Sequence, residues 1–228
     1  MGYNFQFGVL VNYLPEFVGG LGLTLLLSLV GIFGGLALGI ACAIVSVRGP
    51  LIPRVMVRVY VEIMRNTPML VQIFVIFFGL PSLGIRLSPF VSVLLAIVLN
   101  NGGYIAEIVR AGIQSIHPSQ VEAAESLGLT GGQTMRFVIL PPALERVMTP
   151  IISQSVLLML ATSLVSAIGV EDLTGVAMIA SSETFRTMEI YVVIAFIYVG
   201  LNFVFRALLN AVGLLMFKRS RQRLLGRA

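Results

Sequence analysis

The chain has 228 residues, 57% of them hydrophobic and 11% charged, with a formal net charge of +5 and a mean hydropathy of +1.00. Soluble domains carry about 25% charged residues, so the composition excludes a water-soluble globular protein and places the chain in a bilayer. The basic excess does not indicate nucleic acid, because it flanks apolar runs, where Lys and Arg set topology and meet anionic headgroups.

A spanning helix needs about 20 mostly apolar residues. Met1 to Val18 holds no Lys or Arg, so a secretory signal's basic region is missing and the first apolar run reads as a retained span. Gly19 to Val47 is that span, and it is uncharged. Met69 to Leu80 is apolar but short, which predicts a second helix starting near Ile52 and carrying Arg58, Glu62 and Arg65. Leu87 to Ala106 and Val147 to Val170 are uncharged third and fourth spans, and Ile190 to Phe217, interrupted by Arg206, is the fifth. The expectation is therefore an all-α membrane protein, a single domain over 1–228 with five transmembrane helices and no linker or internal repeat. Arg48, Arg54, Arg110, Arg136, Arg146 and the cluster Lys218, Arg219, Arg221, Arg223 and Arg227 fall on one side. The other side has Arg86 and Arg186 among Glu16, Glu171, Asp172, Glu183 and Glu189. This bias predicts an outside N-terminus and a cytoplasmic C-terminus.

Between spans three and four, residues of about 112–135 form a longer cytoplasmic loop. Pro118 and Ser119 start a short helix there, with Glu122 at capping-box distance from Ser119. Gly128 and the pair Gly131-Gly132 end it. His117, beside a proline, reads as a turn residue. Pro141-Pro142 removes two backbone donors, so the fourth span begins with a kink.

Polar groups inside spans mark pathways or pairs. Arg58, Glu62 and Arg65 share one helix face, as an interfacial ion-pair ladder or, for Arg65, as a group able to meet a carboxylate. Asn100 and Asn101, followed by Gly102-Gly103, fit interhelical hydrogen bonding or solute contact equally well, as do Gln154, Thr162 and Ser163. Arg206 reads as a snorkelling residue. Gly19, Gly20, Gly22, Gly31, Gly34 and Gly35 read as span-packing residues. Cys42 and His117 have no partners at metal-ligand spacing. No phosphate-binding Gly-x-x-x-x-Gly-Lys-Ser/Thr loop is present, so the chain is not expected to hydrolyse ATP.

One pattern carries more information than these. Glu122-Ala123-Ala124, three residues, Gly128, nine residues, then Val138-Ile139-Leu140-Pro141 resembles the signature loop of permease subunits of ATP-binding-cassette (ABC) importers. Two alanines permit close approach to another protein. Glu122 offers a carboxylate and, near the helix N-terminus, favours the dipole. The segment is too poor in large apolar residues to lie on a membrane as an amphipathic helix.

The resemblance extends to the polar-amino-acid branch, of the histidine, glutamate and glutamine type. Gly22-Leu23-Thr24-Leu25, Arg65-Asn66-Thr67-Pro68 with Gln72, Gly103 to Ile116, Thr162-Ser163-Leu164, Ile168-Gly169-Val170 and Asp172-Leu173-Thr174 carry it. It implies a type I importer fold in a bacterial inner membrane. It also implies Glu122, Ala123, Ala124 and Gly128 as the contact with a cytoplasmic ATPase dimer, which holds ATP and Mg. A second permease subunit and an external solute-binding protein complete the assembly. On this reading Arg65, Asn100, Asn101, Gln154, Thr162 and Ser163 border the solute path. One departure is Leu160-Ala161, where many relatives have Lys-Asp; it implies a partner subunit of a heterodimer or a less charged solute. The rival readings are a stand-alone channel or secondary transporter, whose inverted repeat is not seen, and an ABC permease for another small polar solute.

Overall fold

The computed structural model describes residues 4–216; the basic cluster from Lys218 to Arg227 lies outside the described residues. A long run with almost no charge and few breakers continues as one helix, and α1 (Leu14–Arg48) runs 35 residues from a 3-10 turn over Phe7–Tyr13. α2 (Leu51–Asn66) and α3 (Met69–Phe74) follow. A wide turn over Val75–Gly79 and a tight one over Leu80–Leu83 end this unit at Gly84, whose φ is +84°. Ser88 caps α4 (Pro89–Gln114) by accepting the Val91 N–H at 3.3 Å.

The chain then forms α5 (Pro118–Ser126), α6 (Gly131–Gln133), a π-type turn over Thr134–Ile139, and α7 (Leu140–Arg146). α8 (Met148–Ala161) tightens into a 3-10 turn over Thr162–Ile168, and α9 (Leu173–Thr184) and α10 (Thr187–Met216) complete the order. No strand occurs among the described residues.

Four stretches are long and apolar enough to cross a membrane: Phe7–Arg48, Pro89–Gln114, Met148–Ile168 and Thr187–Leu215. The second expected span is not one straight helix. Leu51–Asn66 and Met69–Leu83 meet at 113°, and they make a fifth span only as a bent pair. The cause is local. Pro68 has no N–H to give the Met64 carbonyl four residues back. Thr67, before the proline, is extended at φ −117° and ψ 142°.

α1 and α4 form the centre of the bundle. Gly31, Gly35 and Gly39 recur every four residues along α1, and opposite them Ile97, Asn101 and Ile105 recur every four along α4. A Cβ on Gly31 would lie 2.2 Å from Ile97, one on Gly35 2.5 Å from Asn101, and one on Gly39 2.6 Å from Ile105. The glycines are thus required for this approach, where dispersion replaces the hydrophobic drive absent between helices in lipid. One core layer joins α1, α4 and α8 through Leu27, Ile97, Leu158 and Met159. A second, toward α5, joins Ala43, Val109, Met135 and Ile139.

The opposite end of the bundle is closed by polar knots. Asp172 is fully buried and caps α9, accepting the Gly175 N–H at 2.9 Å. Tyr198 of α10 donates to its other oxygen at 3.4 Å, and the Leu173 N–H donates to Thr24 of α1 at 3.1 Å. Burial pushes the Asp172 carboxyl up from its ordinary value, against the donors that pull it down. Nearby, buried Glu189 accepts the Gln6 N–H at 3.1 Å and lies 3.6 Å from Arg186, which donates to the Asn4 carbonyl at 3.1 Å. The chain's start is thereby latched to the turn between α9 and α10.

Candidate functional site

α5 hangs from the end of the bundle where α4 ends. Pro118 occupies its first position, where a missing N–H costs nothing. The cap is His117, whose Nδ1 accepts the Ser119 N–H at 3.2 Å and lies 2.7 Å from Ser119 Oγ. The expected Ser119 cap with Glu122 as its box partner is therefore corrected. The helix begins earlier, and Glu122 falls beyond the first turn, where the macrodipole has little hold on it. A capping box does exist, but at Thr130 and Gln133, where each side chain meets the other's backbone. Gly131-Gly132 accordingly opens the next helix instead of closing α5.

Gly128 performs the reversal that its position suggested. Its φ is +78°, its N–H donates to the Glu125 carbonyl at 2.9 Å, and the Leu129 N–H donates to Ala124 at 3.1 Å. These two bonds make a Schellman close. Of the two alanines, Ala124 is buried against the bundle and Ala123 faces outward with Glu122 and Glu125. Leu127 is 81% exposed. A cleft of about 960 Å³ runs beside this helix, lined by Ala123 and Leu127, by Val138 and Met148, and by Asn210 and Leu214 of α10.

The polar residues of the spans form a seam. Asn101 is 1% exposed and donates to the Gly31 carbonyl of α1 at 3.0 Å, while Gln154 of α8 donates to Asn101 Oδ1 at 3.5 Å. Asn100 donates to Gln72 Oε1 at 3.0 Å and to the Met64 carbonyl at 3.4 Å. Gln72 Nε2 also donates to Met64 O at 3.0 Å, Thr67 O at 3.2 Å and Thr67 Oγ1 at 2.7 Å. The carbonyl orphaned by Pro68 is thus satisfied from α3 and α4 together. Gln72 carries no expected role in the sequence; the signal that points to it is Pro68, four residues after an acceptor it cannot serve. Gly102 and Gly103 let α2 close on α4, since a Cβ there would lie 2.7 Å from Tyr60 and from Met64.

Thr162 and Ser163 sit where α8 tightens, and they bond carbonyls of their own helix, Met159 and Leu160, at 2.7 and 2.8 Å. No hydrogen bond joins them to Asn101 or Gln154 among the described residues. Arg65 is exposed and lies 3.9 Å from Glu107, which is held more closely by Arg110 at 2.5 and 2.8 Å. Glu62 takes the Asn66 amide at 2.8 Å and makes no ion pair with Arg58 among the described residues, so the expected ladder does not form along α2. Instead Arg58, Glu62, Glu107, Arg110 and Gln114 edge a cleft of about 420 Å³ between α2 and α4.

Residues 35–217 match the family model of the binding-protein-dependent transport system inner membrane component. The chain belongs to this family. Among its members, a glutamine transport system permease protein of Escherichia coli strain K12 is 34% identical over 208 residues, 90% of this chain and 95% of that protein. A probable amino-acid ABC transporter permease protein of Bacillus subtilis strain 168 is 35% identical over 196 residues, 86% and 87% of the two chains. A crystal structure of an amino acid ABC transporter with histidines matches at a TM-score of 0.84 and 34% identity, over 92% of this chain and 99% of that one. The MetNI methionine ABC transporter, at a TM-score of 0.77 and 17% identity, shares the fold. This family member is thus a multi-pass inner-membrane protein.

Proposed function

We propose that the chain is the permease subunit of an ABC importer that carries a polar amino acid into the cytoplasm. The observation that carries this is α5: a helix set off from the bundle, closed by Gly128 in the left-handed region, presenting Glu122, Ala123 and Leu127 outward. The likeness to amino-acid permeases over nine-tenths of the chain supports the solute class. Glu122, Ala123, Ala124 and Gly128 form the coupling helix, which enters a cytoplasmic ATPase dimer holding ATP and Mg. The end bearing α5 then faces the cytoplasm. The end closed by Asp172 and Glu189 faces outward, toward an external solute-binding protein. A second permease copy or paralogue completes the passage, and lipid covers the rest.

The solute path passes Arg65, Asn100, Asn101, Gln154, Thr162 and Ser163, of which Asn100, Asn101 and Gln154 belong to the hydrogen-bonded seam. Arg65 is the path's charged, exposed member, suited to a carboxylate. Asn100 and Asn101 keep the walls in register. ATP-driven closure would move both coupling helices and shift a two-state bundle, each state biased by a ligand the permease itself does not bind.

Glu122→Lys and Gly128→Asp test the coupling role. The first reverses the charge on the outward face; the second strains a φ of +78° and adds charge. Both variants should insert normally, with amino-acid uptake in reconstituted vesicles down by about tenfold or more, within the ordinary range of coupling energies. Wild-type uptake in both would remove α5 from the mechanism.

A further inference from the structure

The loop that carries α5 is fastened at both necks by arginines from other elements. Ahead of α5, Arg146, the last residue of α7, donates from Nη1 to the carbonyl of Ser115, the residue that ends α4, and to Ser115 Oγ at 3.0 Å. Behind α5, Arg48, the last residue of α1, donates from Nη1 to the carbonyl of Gly131 at 2.9 Å, where α6 begins. Arg146 thereby supplies the carbonyl end of α4 with a cation, the sign of charge that the C-terminal end of a helix favours.

Between these ties α5 has little else to hold it. Ala124 is its only buried residue, and Ile116 and Val121 are the apolar groups of this segment that reach the Met135 and Ile139 layer. A helix anchored so lightly would pivot at its necks when pushed, and the displacement would be lost in the loop. With Ser115 tied to α7 and Gly131 tied to α1, the same displacement reaches the entry of α8 and the end of the first span. Both arginines are exposed. Exposed bonds of this kind add little to stability, so the ties serve stiffness of linkage more than folding.

We propose that Arg48 and Arg146 are positioning residues that transmit movement of α5 to the spans, so that their loss separates ATP hydrolysis from transport. This rests on the coupling role given to α5 above. The test uses the complete importer, with its ATPase, second permease and binding protein, in proteoliposomes. The probe is the labelled amino acid that the wild type accumulates fastest from a mixture. The reading is amino acid moved per ATP hydrolysed. Arg146→Ala, Arg48→Ala and their double variant should lower this ratio, the double by about tenfold or more on the usual scale of site-to-site coupling. The ATPase should still co-purify and the melting temperature should hold. Arg146→Lys should recover part of the ratio, because it keeps one charged donor. Ser115→Ala should stay near wild type, because the carbonyl remains.

An unchanged ratio in the double variant overturns the proposal. So does a ratio that falls only in step with co-purification or melting temperature, since the arginines would then merely hold the loop together. Gly128→Asp in the same vesicles keeps the two readings apart. If Gly128→Asp transports normally, the coupling role of α5 has failed. If it is inactive while the arginine variants keep a wild-type ratio, only the transmission role has failed.

Discussion

Asp172 shows how one side chain fixes an end of the bundle. Its carboxylate caps α9 through the Gly175 N–H and receives Tyr198 from α10, while the neighbouring Leu173 N–H binds Thr24 of α1. Burial raises its pKa above the ordinary 3.8. A raised carboxyl means that the folded chain holds this proton more tightly than the unfolded chain. The contribution of Asp172 is therefore greatest in acid and declines as pH rises through the shifted value. Asp172→Asn keeps an oxygen for the Gly175 N–H and abolishes the buried charge. Thermal unfolding in detergent should show it at least as stable as wild type at neutral pH, with a flatter pH dependence. Asp172→Ala loses the cap and should cost about 0.5–2 kcal/mol. Equal loss from Asn and Ala would mean that the charge itself stabilises this knot.

At the scale of elements, what could be read in advance was whatever depended on neighbours in sequence. Uncharged runs mark α1, α4 and α8, a run interrupted only by Arg206 marks α10, and Gly128 marks the close of α5. Ser119 stands at capping-box spacing from Glu122, yet Pro118 fits the first helical position better and moves the start to His117. The expectation of one helix from near Ile52 to Leu80 passes over Pro68, which breaks it, and neither the break nor its angle of 113° is part of that reading. The direction of a helix after a break is set by what packs on it, here Gln72, Asn100, Gly102 and Gly103. The pairing of Gly31, Gly35 and Gly39 with Ile97, Asn101 and Ile105 is likewise a contact between distant positions, which sequence spacing alone does not show. The broken helix yields a prediction. Gln72→Leu leaves the Met64 and Thr67 acceptors without their main donor, a loss of about 1–3 kcal/mol for a buried unsatisfied group. Because Asn100 shares the same network, Asn100→Leu in that background should cost less than it does alone. Thermal unfolding of the two single variants and the double would show this, and strict additivity would mean that the two amides act independently.

For the whole molecule, the same ends that carry the polar knots and α5 define its orientation in the bilayer. Asn4, Gln6, Arg186 and Glu189 meet at one end, so the start of the chain and the α9–α10 turn lie on one side of the membrane whatever that side is. α5 hangs at the other, next to Arg48 and Arg146. On the proposed function that side faces the cytoplasm, which agrees with the basic residues near α5. The faces of α2 and α10 left bare in the single chain, with Ile52, Met56, Phe196 and Phe203 exposed, are apolar enough to meet lipid. A short cysteine-accessible tag placed at Ser181 should therefore react with a membrane-impermeant reagent added outside intact cells. The same tag placed after Leu127 should react only after the membrane is opened. Cys42 is buried within α1 and should give little background. The bent second unit makes this more than a check on charge bias. α1 and α4 run parallel, with Gly31, Gly35 and Gly39 meeting Ile97, Asn101 and Ile105 in the same order, so α2 and α3 together must return the chain across the bundle between them. Labelling of both tags from the same side would contradict the bundle itself, because the span Met148–Ile168 separates them by a full crossing.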